Sequence, residues 1–317
     1  MTIRSGAILL PGPIQNRIED FARSFLEAPE VPAVDFLHPH GEAALISADS
    51  VSWRVFKNPV SLFVGGAAAV LLEFAEPRVR DGVWNHTRFR EEPLVRLRRT
   101  GLAAMLTVYG PRSKAEAMIQ GVVRAHDRVS GRTSGGIPYH ANDPDLLDWV
   151  QATATYGFLT AYSAYAAPLW AAEIDLGFAE VAPAGALYGA HGAPRSAAEF
   201  NAIAERLGPA FEPSPIVFEF LDLIKAAPVF PAPARPLQRL LVKAAVDLVP
   251  PWIRRRLGLG PEWSLSAWQR ATVRSAGAAA DRLMLRTSPA VQSCRRLGLP
   301  DDYLFRRSST RPISGRV

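Results

Sequence analysis

Proline placement constrains this chain more than any other feature. Among its 27 prolines, Pro59, Pro77, Pro93, Pro144, Pro215, Pro251 and Pro289 each stand at the head of an apolar, mostly Ala-, Leu- and Arg-rich segment. Proline has no backbone N–H and a fixed φ, so it breaks helix interiors. It fits the first turn, where the donor would be unpaired anyway. Ala, Leu and Arg are strong helix formers. The repeated pattern predicts an all-α fold. Strand-like alternation is scarce; Ala44-Leu45-Ile46 is the best short extended piece.

The predicted helices run over Gln15–Ala28, Val60–Phe74, Pro77–Trp84, Pro93–Tyr109, Ser113–Val129, Pro144–Ala166, Ser196–Leu207, Pro215–Ala226, Arg235–Leu248, Pro251–Leu257, Ser266–Leu285 and Pro289–Leu297. Gly110-Pro111 stops one helix, and Ser113-Lys114-Ala115-Glu116 has the form of a capping box for the next. Gly131 to Ala141 reads as a loop. Phe230 to Pro236 is a stiff connector, but the helices after it are too few for a second core. The expectation is one helical domain over residues 1–305 with additional C-terminal helices. Residues 306–317 form a polar, basic tail expected to be disordered.

Charge and cysteine content exclude several function classes. The chain carries 36 basic and 30 acidic residues, a net +6 over 317 residues. It has no block of five or six like charges and no basic run interleaved with aromatics, so nucleic acid is not an expected partner. A lone cysteine, Cys294, rules out a disulfide framework and multi-cysteine metal sites, and suits a reducing compartment. With no signal peptide at the N-terminus, a cytoplasmic location is expected. Val60–Leu72 and Trp149–Ala172 are uncharged. The first is short for a span, and the second carries many hydroxyls and then Pro168, so both read as buried helices. A shallow peripheral membrane contact is left open.

Two helices carry the candidate chemistry. On the Pro93 helix, Arg96, Arg99, Thr100, Ala103 and Thr107 share one face, while Leu102, Met105, Leu106 and Tyr109 share another. The first face is cationic, then small, leaving room for a planar ligand whose carboxylates arginine would bind. A solvated basic face fits the same residues. On the next helix Met118, Val122, His126 and Val129 form an apolar stripe. His126 is either a core histidine or a metal ligand. Glu73 and Glu76 are the nearby carboxylates, and burial would raise the pKa of Glu73 or demand a cationic partner such as Arg96 or Arg99. No His-Glu-x-x-His pair, Gly-x-Ser-x-Gly elbow or phosphate loop is present.

The order of these pieces resembles the latex-clearing protein (rubber oxygenase) and MpaB-type oxygenase catalytic-domain family. The matching residues are Gly65-Gly66-Ala67-Ala68-Ala69-Val70-Leu71-Leu72, Ala75-Glu76-Pro77, Gly82-Val83, Phe89, Arg96-Leu97-Arg98-Arg99-Thr100, Tyr109-Gly110, and His126 with Val129 and Gly131. Then follow Tyr139, Ala141, Asp143-Pro144, Leu146-Leu147, Trp149-Val150, Pro250-Pro251-Trp252-Ile253-Arg254 and Leu257-Gly258-Leu259. Coverage is roughly 53–259. The resemblance implies a globin-like helical core and b-type haem, with His126 as the proximal iron ligand and Arg96 and Thr100 on the distal side. Glu73 and Glu76 are both candidates for the family's catalytic glutamate. Arg99 stands where rubber oxygenases carry a lysine, and Gln151 where the family usually has histidine.

The implied activity is a haem-dependent oxygenase using dioxygen on a small apolar, alkene-bearing substrate. Two alternatives stay open: a non-catalytic haem- or lipid-binding helical protein, and an iron-free enzyme using Arg96, Arg99 and a buried glutamate.

Overall fold

The computed structural model describes residues 5–26 and 33–306. Its helices are α1 (Gly12–Leu26), α2 (Val51–Phe56), α3 (Pro59–Glu73), α4 (Pro77–His86), α5 (Pro93–Tyr109), α6 (Arg112–His126), α7 (Pro144–Tyr165), α8 (Ala171–Leu187), α9 (Ala197–Leu207), α10 (Pro215–Ala226), α11 (Arg235–Leu248), α12 (Pro251–Arg256), α13 (Ala267–Arg282) and α14 (Pro289–Arg296). The fold is all-α, as the sequence predicts. Each of the seven prolines that open the sequence argument is the first residue of its helix.

Helix α3 packs along α7 at the centre, with α11 and α13 against them. The two central helices touch backbone to backbone. A Cβ on Gly65 would lie 2.8 Å from the Gly157 carbonyl oxygen and from Phe158 Cα, so only glycine permits this approach. The uncharged segment Val60–Leu72 lies in α3, and most of Trp149–Ala172 lies in α7. Among the described residues no single helix is long and apolar enough to cross a membrane.

Local chemistry sets most helix starts. Asn58 accepts from the backbone N–H of Val60 and Ser61, and Glu76 from those of Arg78 and Val79.

Four expectations need correction. The capping box at Ser113 does not form: α6 starts at Arg112, and the Ser113 backbone N–H and hydroxyl both donate to the Glu42 carboxylate. The same helix ends at His126 rather than Val129. Ala44–Ile46 forms no strand. The Gly131–Ala141 loop contains a two-stranded antiparallel hairpin, β1 (Ser130–Arg132) and β2 (Pro138–His140), with Gly131 opposite Tyr139.

Helices α2 and α8 are additions to the predicted set. Six residues are too few for a periodic signal in α2, and its first N–H groups are capped from afar by Glu180 of α8. In α8, Gly177, Pro183 and Gly185 read as breakers. The glycines are where α8 lies against Leu159 and Gln151 of α7. The tail expected to be disordered falls, beyond Arg306, outside the described residues.

Candidate functional site

Glu73 is the last residue of α3, held by the packing of that helix on α7. The Trp149 indole donates to the Leu72 carbonyl at 3.2 Å, fixing the final turn beside Glu73. Burial pushes the Glu73 carboxyl up to about 7. The Arg96 charge and a hydrogen bond with Thr153 pull it back only in part. Thr153 is fully buried on α7, and its hydroxyl proton is shared between Glu73 and the Val150 carbonyl, 2.9 Å away.

Arg96 lies in the first turn of α5. Burial lowers its pKa, the Glu73 carboxylate raises it, and the neighbouring Arg99 charge lowers it again. The Arg96 charge is thus felt at Glu73, although no direct ion pair joins them among the described residues. His126 ends α6. Burial holds its pKa down, and the Arg96 charge adds to that; Asn142 and Asp127 act the other way. Arg96 thus stands within electrostatic reach of both Glu73 and His126.

The His126 ring is half-buried with Nδ1 enclosed. Asn142 is its hydrogen-bonding neighbour, yet the two groups are not aligned into a formed bond, since His126 Nδ1 and Asn142 Oδ1 are both enclosed without a partner. With Nδ1 sealed, the accessible surface of the ring lies on its other edge, where Nε2 is.

The surroundings are open and apolar. Leu97, Ala104 and Met105 of α5 and Met118 and Val122 of α6 are half-buried, whereas Leu106, Val108 and Tyr109 further along α5 are sealed. A cleft of about 390 Å³ opens beside the end of α6, walled by Val123, Asn142, Leu147, Leu187 and Tyr188. A groove of the same volume, between Tyr156 and Pro251, includes none of these site residues.

The other candidates separate. Glu76 is fully committed to structure: it caps α4 and pairs with Arg78 at 2.7 Å. Arg99 and Thr100 are exposed, and the Thr100 hydroxyl donates back to the Arg96 carbonyl. His38 and His40 stack edge to face in a loop, with Asp35 on His38. Among the described residues no three His, Cys, Asp or Glu side chains gather as a metal site. Sequence reasoning missed Thr153 and Asn142. Asn142 sits between Ala141 and Asp143, two residues of the family pattern, but nothing in its spacing points to His126.

A family model described as "ER-bound oxygenase mpaB/B'/Rubber oxygenase, catalytic domain" matches residues 53–282. The chain belongs to this family. The matched span runs past the Leu259 limit read from sequence to the end of α13 and includes Glu73, Arg96, His126, Asn142 and Thr153. The chain therefore carries an oxygenase catalytic domain of the MpaB and rubber-oxygenase type. No curated protein and no solved structure matches it.

Proposed function

We propose that this oxygenase is haem-dependent and oxidises a small apolar, alkene-bearing substrate with dioxygen. The observation that supports the reading is that Glu73, Arg96 and His126, from three separate helices, share one electrostatic neighbourhood, with Arg96 acting on both of the others.

The residues present fit a b-type haem. His126 offers an imidazole whose Nδ1 is enclosed and whose other edge is open, as an iron ligand requires. Arg96 and Arg99 lie close enough to influence each other and are suited to propionate carboxylates. When bound, the haem would supply the oxygen chemistry, which side chains alone cannot.

The chain's own groups have distinct tasks. Leu97, Ala104, Met105 and Met118, partly buried against the core, and the half-buried Val122 would give a bound hydrocarbon an apolar surface. Arg96 stays protonated at neutral pH despite its burial and supplies a fixed positive charge. Glu73, with its carboxyl near 7, can hold or release a proton at working pH. Arg99 has no lone pair, so it cannot ligate iron as the lysine of the rubber oxygenases can.

The test begins with the absorption spectrum of protein produced with haem available. A Soret band is expected, and His126→Ala should lose most of the bound haem. Full haem occupancy in the variant would overturn the ligand assignment. Oxygen uptake on addition of an alkene then separates the oxygenase from a non-catalytic haem binder.

A further inference from the structure

We propose that Asn142 is the positioning residue for His126: a small turn of the imidazole brings its Nδ1–H onto the Asn142 side-chain carbonyl, which fixes that tautomer and leaves the lone pair on Nε2. The inference rests on His126 being the ligand, and it adds which protein group orients that ligand.

The orientation of the Asn142 amide follows from its bonds. Nδ2 donates to Asp127 Oδ1 at 2.8 Å and to the Val123 carbonyl at 3.3 Å. Both partners only accept, so the nitrogen end must point at them and Oδ1 must point the other way. Oδ1 is enclosed and has no formed bond. An amide oxygen can only accept, so it needs a donor. His126 Nδ1 is enclosed without a partner on the neighbouring side chain. As N–H it satisfies that need, and as a bare nitrogen it would leave two buried acceptors without a donor.

The backbone holds Asn142 in place. Its N–H donates to His140 Nδ1 at 3.1 Å, and His140 Nε2 lies 3.3 Å from the Asp127 carbonyl. His140 is therefore the Nε2–H tautomer, bridging the loop to the end of α6. The β1–β2 hairpin creates this arrangement. It leaves the end of α6, turns back, and returns the chain with the Ala141 N–H on the Val129 carbonyl. Sixteen residues of sequence separation are thereby folded into one contact. Asn142 also stands on the wall of the cleft beside the end of α6.

The tautomer is read in the haem-free chain by long-range ¹H–¹⁵N NMR, with the His126 signals assigned by their loss in His126→Ala. Wild type should show the Nδ1–H form, and Asn142→Leu should show a mixture or the Nε2–H form. In haem-loaded protein, the iron–histidine stretch should shift down in Asn142→Leu and up in Asn142→Asp, because a carboxylate pulls harder on the proton and makes the imidazole more basic. Haem should also leave Asn142→Leu about tenfold faster. Asn142→Asp is made together with Asp127→Asn, which puts a donor back against the new carboxylate; it keeps an acceptor toward His126 and so preserves the test should the leucine variant fail to fold. A wild-type Nε2–H tautomer, or variants with unchanged tautomer and stretch, would overturn the proposal. Failure of wild type to bind haem would sink the haem reading instead, since the haem-free measurement stands apart from it.

Discussion

Glu73 ends an apolar helix, and its neighbours act on its proton in opposite directions. Burial raises its pKa from 4.5 to about 7, while Arg96 and Thr153 favour the ionised form. The folded chain therefore binds more protons than the unfolded chain between those two values. Stability from this group is fully present below about pH 4.5 and is lost as pH rises through 7. Glu73→Gln removes that titration. In haem-free protein, the stability of wild type relative to Glu73→Gln should fall by about 3 kcal/mol between pH 4.5 and 8. Urea midpoints of both proteins at several pH values measure it, and parallel curves would show that Glu73 titrates normally. Glu73, Arg96 and His126 were legible in the sequence because each has a pattern: a carboxylate closing an apolar run, a paired arginine face, a histidine on a stripe. Thr153 was not legible, because one hydroxyl among many on an uncharged helix has no periodic signal. Asn142 was hidden because its contact depends on a hairpin whose strands are three residues each. Glu76 looked equivalent to Glu73, yet three residues further along a carboxylate falls at the next helix's N-cap.

The central pairing of α3 with α7 depends on two glycines that lie face to face. A Cβ on Gly157 would press on the Gly65 carbonyl oxygen and on Ala69, both parts of the opposing helix. That obstacle is backbone, which cannot swing aside. Gly157→Ala should cost about 2–3 kcal/mol or more, since separating packed helices loosens contacts along their length. Gly101 on α5 is the opposite case. A Cβ there meets nothing within 4 Å, so Gly101→Ala should be neutral or stabilise by up to about 1 kcal/mol through helix propensity. Denaturant midpoints of the two variants should thus move in opposite directions, and a shared direction would contradict the packing argument. The glycines also explain which elements the sequence revealed. Proline-headed helices announce themselves locally, because the first-turn preference belongs to the residue itself. Helix α8 did not, because its glycines serve close packing on α7 and only the tertiary neighbour gives them meaning. Helix α2 has a local cap, Ser50 accepting from the Trp53 N–H, but its first two N–H groups bond Glu180, 128 and 129 residues away in sequence, which no local rule can see.

The family match stops at residue 282, but the physical unit does not. Beyond it, Arg296 on α14 is 2% exposed and donates to the carbonyls of Phe36, Glu42 and Tyr109 at 2.8, 2.8 and 2.7 Å. Two of those acceptors precede the matched segment and the third ends α5, the helix that bears Arg96. Ser293 adds a further donor to Tyr109 at 2.8 Å. The N-terminal end is fastened in the same way: Gln15 donates to the Met284 carbonyl at 2.9 Å, and Glu19 accepts from the Arg286 N–H at 2.7 Å. Both flanks thus close over one side of the matched core and fix the far end of α5. Arg296→Met keeps an apolar stem of similar length but leaves buried carbonyls without their donor, at about 1–3 kcal/mol each. Ser293 still serves Tyr109, so the expected loss is about 3 kcal/mol, with a lowered melting temperature. Arg296→Lys should recover only part of this, because an ammonium lacks the planar fork that reaches three carbonyls at once. Equal stability of wild type and Arg296→Met would mean that water replaces the guanidinium at no cost, and that the flanks do not brace α5. If they do brace it, a chain cut to residues 53–282 should lose cooperative unfolding by circular dichroism even though it keeps Glu73, Arg96, His126 and Asn142.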